Sequence, residues 1–143
     1  MARDYLNIPV DFREIKRKGI VDRVDLKTSI HNLIHLITTT TYKEVRHNPE
    51  FGCDIWQYDF ENIYNPHAFK EELRRSIRDS ITRNERRLTG VRVDLQLEQV
   101  EVSTRIRNKR VKTRINMVVR GIVDETNEML EHHEMFFIGP LSY

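Results

Sequence analysis

Cysteine is nearly missing from this chain: among 143 residues there is one, Cys53. A lone cysteine cannot close an internal disulfide, so nothing points to an oxidising compartment. Glycine is scarce as well, five in all, and no cluster of them makes a phosphate-cradling loop. No apolar run approaches the roughly 20 residues needed to span a bilayer. The opening Met1-Ala2-Arg3-Asp4-Tyr5 lacks the apolar stretch of a signal peptide. The expectation is a cytoplasmic protein with no membrane insertion. An excess of one charge is missing too. The 24 basic and 22 acidic side chains leave a net +2, a weak field for a dedicated nucleic-acid binder.

What is there suits one core, since single domains run to roughly 100–200 residues. Residues 1–25 have no clear period and read as an extended N-terminal arm, with a short strand around Leu6–Val10. Arg13, Lys16, Arg17 and Lys18 form a basic stretch in that arm, read as a solvated face. Residues 26–143 read as a single α+β domain. Leu26, Ile30, Leu33, Ile34 and Ile37 make one apolar stripe and predict a helix over 27–46, with Asp25 as N-cap. Thr38-Thr39-Thr40-Thr41 weakens its end through β-branched crowding. An irregular segment follows from Arg46 to Tyr64. Its Phe51, Ile55, Trp56 and Phe60 are expected to pin it across the core. Asn65 and Pro66 open a second helix whose Phe69, Leu73, Ile77 and Ile81 step by four.

Three strands come next. Val91, Val93, Leu95 and Leu97 alternate with polar residues. The phase then slips to Val100 and Val102, which predicts a bulge near Gln99. Arg105–Arg110 is a basic turn, Val111–Val119 the second strand, Asp124–Asn127 a turn, and Met129–Ile138 the third strand. The expected fold is two helices packed on one face of an antiparallel three-stranded meander, with the short extra N-terminal strand.

Chemistry-bearing residues are few. His31 and His35 have the i, i+4 spacing of zinc ligands, but Asn32 stands where a metalloprotease carries its general base, and no third ligand is in view. His132 and His133 are adjacent in a strand and point to opposite faces, so they do not share a metal; a strand-edge or interface role fits them better. Asp54, Asp59, Glu61, Glu71 and Glu72 could supply the paired carboxylates of glycoside hydrolysis, yet nothing singles out a pair. Cys53 lacks a nucleophile motif and reads as a small buried thiol. Arg74, Arg75, Arg78, Arg83, Arg86 and Arg87 are interrupted by acids and read as a solvated face or protein interface. Neither a cofactor nor a metal is expected.

One junction stands out. Glu85-Arg86-Arg87-Leu88 lies where the second helix gives way to the meander. In an extended junction Glu85 and Arg87 share a side, and Arg87 can offer a bidentate fork to a carboxylate of this chain or of a partner. Together with Pro49-Glu50-Phe51-Gly52 after the first helix, this junction resembles the baseplate wedge and sheath-initiator family of contractile injection systems. That family includes TssE of type VI secretion and the sheath initiator of T-even phages. Its motif is Glu-Pro-Arg-Leu: Glu85, Arg87 and Leu88 match, and Arg86 stands in place of the proline, which would fix one backbone angle and remove a donor. Cys53-Asp54-Ile55-Trp56, Tyr58–Asn62 and the closing Phe136–Ser142 look like type VI members of the Bacteroides group. The resemblance spans about residues 20–142.

The resemblance implies a non-enzymatic sheath initiator with Glu85, Arg86, Arg87, Leu88, Phe51 and Gly52 as its motif and partner-binding residues. It also implies sheath subunits and baseplate wedge proteins as partners, with several copies in a larger symmetric assembly. An open sheet edge would accept strands from sheath subunits, with strands 91–103 and 129–138 as the edge candidates. Relatives have carried a lysozyme-like label, so a peptidoglycan hydrolase of the same fold is one alternative. A nucleic-acid-binding module acting through the Arg74–Arg87 face is another.

Overall fold

The computed structural model describes residues 5–55, 66–103 and 109–138. In chain order these form β1 (Tyr5–Leu6), α1 (Phe12–Lys18), β2 (Arg23–Val24), α2 (Leu26–Thr39), α3 (Pro66–Asn84), β3 (Leu88–Ser103), β4 (Lys109–Val123) and β5 (Glu128–Ile138). β3, β4 and β5 make an antiparallel meander, and β1 pairs antiparallel with β2 in a separate small sheet. The architecture is α+β, as the patterning predicts.

Both long helices turn their apolar stripes inward. Ile30, Ile34 and Ile37 of α2 and Leu73, Ile77 and Ile81 of α3 have no exposed surface. They meet Val93, Leu95, Ile115, Met117, Val119, Leu130, Phe136 and Ile138 from the sheet, with Leu26 and Leu33 packed at the margin. Each fully buried aliphatic side chain contributes about 1.5–3 kcal/mol of hydrophobic stabilisation. The Asp25 carboxylate caps α2, accepting from the Thr28 amide at 3.0 Å.

Three details differ from the expectation. The N-terminal segment holds a helix, α1, between its two short strands. Asp11 caps it through the Arg13 and Glu14 amides, and Gly19 ends it at φ 66°, its N–H donating to the Ile15 carbonyl at 2.7 Å. No residue of α1 is buried, so no apolar stripe marks it. Second, α2 stops at Thr39 rather than near residue 46. The hydroxyls of Thr38, Thr39 and Thr40 turn back to carbonyls three or four residues earlier, which weakens the last turn.

Third, the irregularity in β3 lies between Thr89 and Arg92, beside Gly90 at φ 60°, and pairing runs unbroken past Gln99. The phase slip has another cause. β5 is described as far as Ile138 opposite Thr113, itself opposite Gln99, so among the described residues only β3 and β4 continue beyond that pair. A two-stranded ribbon has less of a single buried face to enforce period two. The Asn65 cap, Trp56, Phe60, the Tyr58–Asn62 segment, most of the basic turn and Gly139–Ser142 lie outside the described residues.

Candidate functional site

The junction between α3 and β3 is a turn, not an extended link. The Glu85 amide donates to the Ile81 carbonyl at 2.8 Å and closes the helix. Its carboxylate turns inward and is only 1% exposed. One carboxylate oxygen accepts from both the backbone N–H and the Nε of Arg87, each at 2.9 Å, and the other accepts from a terminal nitrogen at 2.7 Å. The remaining terminal nitrogen of Arg87 donates to the Ser29 hydroxyl on α2 at 2.9 Å. The guanidinium also lies 5.0 Å above the Tyr5 ring centre, within cation–π range. The Arg87 fork is therefore closed on a carboxylate of this chain, where it ties α2, α3, β1 and β3 together. Arg86, at the family's proline position, is exposed.

Leu88 enters the core at 4% exposure. It fits because Gly121 on β4 has no side chain: a Cβ there would lie 2.6 Å from Leu88 Cγ. Gly121 belongs with the motif although it stands 33 residues downstream.

The Phe51-Gly52 element is a second tie. Gly52 has φ 114°, and a Cβ on it would sit 2.5 Å from the Thr40 carbonyl oxygen. The buried Ser80 hydroxyl of α3 donates to the Gly52 carbonyl, while the Cys53 amide donates to the Thr40 carbonyl at 2.9 Å. Phe51 and Ile55 pack on the core, as the loop-pinning expectation holds. Cys53 is fully buried, and burial pushes its thiol up to about 12. The motif residues thus form two separate ties, both against the C-terminal part of α3, one through Ser80 and one just after Asn84.

The sheet presents a different kind of feature. β3 and β5 are its outer strands, and among the described residues neither has a partner on its far side. On the face away from the helices an ionic ladder crosses all three strands. Arg120 donates to Asp94 at 2.8 Å and to Glu131 at 3.0 Å, and Glu131 meets His133 at 2.5 Å. The hydrogen bonds from Arg120 and His133 hold the Glu131 carboxyl below the ordinary range. Ile122 and Met129, directly opposite each other, flank the ladder on one side; Met135 and Phe137 flank it on the other, all exposed.

The remaining candidates are spread out or spent. Among the described residues no group of three His, Cys, Asp or Glu side chains could hold a metal ion. His31 and His35 are not paired with each other; they reach His132 and Glu134 of β5. Burial raises the Asp54 carboxyl, against a hydrogen bond from Ser76 and with Glu72 nearby; Asp59 and Glu61 lie outside the described residues. On α3, Arg74 pairs with Glu71 at 2.8 Å, Arg78 with Asp79 at 3.3 Å, and Arg83 reaches the Glu50 carbonyl at 3.3 Å. No helix among the described residues is long and apolar enough to cross a membrane.

Comparison with known proteins gives two findings. The family model described as baseplate wedge protein gp25 matches residues 24–128. A crystal structure of a protein from Geobacter sulfurreducens, described as a tail lysozyme, superposes with a TM-score of 0.54 at 18% identity, covering 80% of this chain and 92% of that one. At that identity the likeness is one of fold. A comparison with curated proteins finds no match.

Proposed function

The chain belongs to the family of baseplate wedge protein gp25, a structural component of a baseplate, and we propose that it links the wedge to the first ring of a contractile sheath. In this reading it is a TssE-like sheath initiator of a type VI system, acting in the cytoplasm without enzymatic chemistry. Sheath subunits add strands to its sheet and so start the sheath.

The observation that carries this reading is a sheet whose outer strands, β3 of 16 residues and β5 of 11 residues, have no partner on their far sides among the described residues. Exposed edges are usually kept short, bulged or covered, because an open one templates pairing with another chain. An arriving strand gains main-chain hydrogen bonds, and alternate side chains set its register. The exposed Met135 and Phe137 on β5 offer apolar contact beside that edge.

Two measurements test the proposal. Tagged protein should retain sheath and wedge subunits in a pull-down, and sheaths should fail to assemble in its absence. Normal sheaths without it, and no retained subunit, would refute the role. Clearing of purified peptidoglycan, lost on substitution of Asp54 or Glu72, would instead establish the hydrolase.

A further inference from the structure

α2 and β5 meet through a polar cluster. Nδ1 of His31 and Nδ1 of His132 are 2.8 Å apart, and the two rings stack at 5.1 Å between centres. Nε2 of His132 is 2.5 Å from one oxygen of Glu134, and Nδ1 of His35 is 3.0 Å from the same oxygen. The Thr38 hydroxyl lies 3.3 Å from the other oxygen. His132 is 8% exposed and the Glu134 side chain 11%.

Proton counting fixes the tautomers. A carboxylate only accepts, so His132 carries a proton on Nε2 and His35 one on Nδ1. A neutral His132 then has a bare Nδ1, and His31 donates to it. One added proton can be held: His132 becomes an imidazolium beside Glu134, and its Nδ1–H donates to a His31 that has moved its own proton to Nε2. A second proton cannot be held. Both Nδ1 atoms would carry hydrogen across 2.8 Å, and two like charges would face each other in a partly buried site.

We propose that His31, His132 and Glu134 form a proton-limited clamp that holds edge strand β5 on α2 and opens on acidification. The neighbouring charges do not rescue it. On α2, Asp25 favours the charged form of His31 while Lys27 opposes it. Lys27 in turn pairs with Glu128 of β5. From the loop, Cys53 faces Glu134 as a neutral thiol. Glu134 is already shared by His132 and His35. Burial first, and the charge of His132 second, make His31 harder to protonate than a free histidine. The clamp acts within this chain and stands whether or not β5 pairs with a partner.

Amide hydrogen exchange of the intact protein between about pH 7.5 and pH 5, corrected for intrinsic rates, tests it. Opening that binds one extra proton lowers protection about tenfold per pH unit below the ordinary histidine value. That loss is expected along β5 and the facing turns of α2, with β3 and its pairing to β4 unchanged. His31→Gln should flatten the response, because its amide can either donate to or accept from His132. Nitrogen-detected NMR titration of the unmodified protein gives an independent readout: the His31 ring should protonate at lower pH than a free histidine. Uniform exchange across the sheet, a His31 ring that protonates as a free histidine does, or an unaltered response in His31→Gln would overturn the clamp.

Discussion

Leu88 occupies the space that a side chain on Gly121 would need, with its Cγ 2.6 Å from where a Cβ would stand. The last residue of the junction motif is thus seated by a missing side chain on the neighbouring strand. Gly121→Ala should destabilise the fold by about 1–3 kcal/mol through overpacking. Leu88→Ala should lose about 2–5 kcal/mol from the core. The double variant should lose less than the sum, since the smaller residue makes room for the new methyl. Urea unfolding of the three variants measures this; strict additivity would mean that the contact does not control the site.

Gly52 combines a left-handed backbone angle with a close approach to backbone. Its φ of 114° and the Thr40 carbonyl 2.5 Å from a Cβ leave an alanine neither angle nor space. The neighbouring atom is backbone, so it yields poorly. Gly52→Ala should destabilise by more than the roughly 1–3 kcal/mol of backbone strain alone, and it should break the link between Ser80 and the Gly52 carbonyl. A melting temperature close to that of the unaltered protein would contradict this.

The Glu85–Arg87 pair is expected to act first on stability. Glu85→Ala leaves a half-buried guanidinium without its carboxylate, a change worth about 3–5 kcal/mol for buried pairs. Arg87→Lys keeps the charge but cannot fork across both oxygens and reach Ser29, so it should recover only part of an Arg87→Ala loss. Denaturant midpoints for the three variants decide the matter. Equal midpoints for Arg87→Ala and the unaltered chain, with lost partner retention, would move Arg87 from strut to contact.

The parts of this molecule legible in its sequence are those written locally. The stripe of Phe69, Leu73, Ile77 and Ile81, the alternation from Val91 to Leu97 and the Asp124–Asn127 turn each state their own geometry. Short-range motifs also pointed to Phe51-Gly52 and Glu85–Leu88. Periodicity names the buried face of an element but not what that face meets. It could not join Leu88 to Gly121, Ser80 to Gly52, or His31 to His132 across 101 residues. Those contacts depend on how the helices lie on the sheet. Helix α1 was missed for a different reason: its caps, Asp11 and Gly19, are present, but no stripe connects them.

Acid should lower the protein's stability in two pH windows, and both shifts have the same sign. The folded chain holds His31 below its ordinary 6.5. Below that pH the unfolded chain takes up the proton first, so stability is full above it and falls as pH drops through the lower folded value. Burial pushes the Glu134 carboxyl up, but the hydrogen bond and charge of His132, with the charge of His35, bring it below its ordinary 4.5. That contribution is present above 4.5 and is lost as pH falls through the folded value. Denaturant midpoints measured across this range should show both declines, and His31→Gln should remove the upper one alone. A midpoint flat down to the carboxylate range would refute the first decline.

Cys53 offers a second probe of the same core. The thiol is fully buried, donates to the Thr38 carbonyl at 3.4 Å, and is raised by burial to about 12. Near neutral pH its thiolate population is about 10³-fold below that of a free cysteine. Its modification by an aromatic disulfide reagent should therefore be slow in the native protein and should follow opening of the segment around Gly52. Gly52→Ala should speed labelling far more than Leu88→Ala does at equal loss of global stability, because it loosens the strand bridge between Thr41 and Cys53 directly. Equal labelling rates in the two variants would mean that Cys53 is reached only by global unfolding, and that the Phe51-Gly52 segment moves as one body with the sheet.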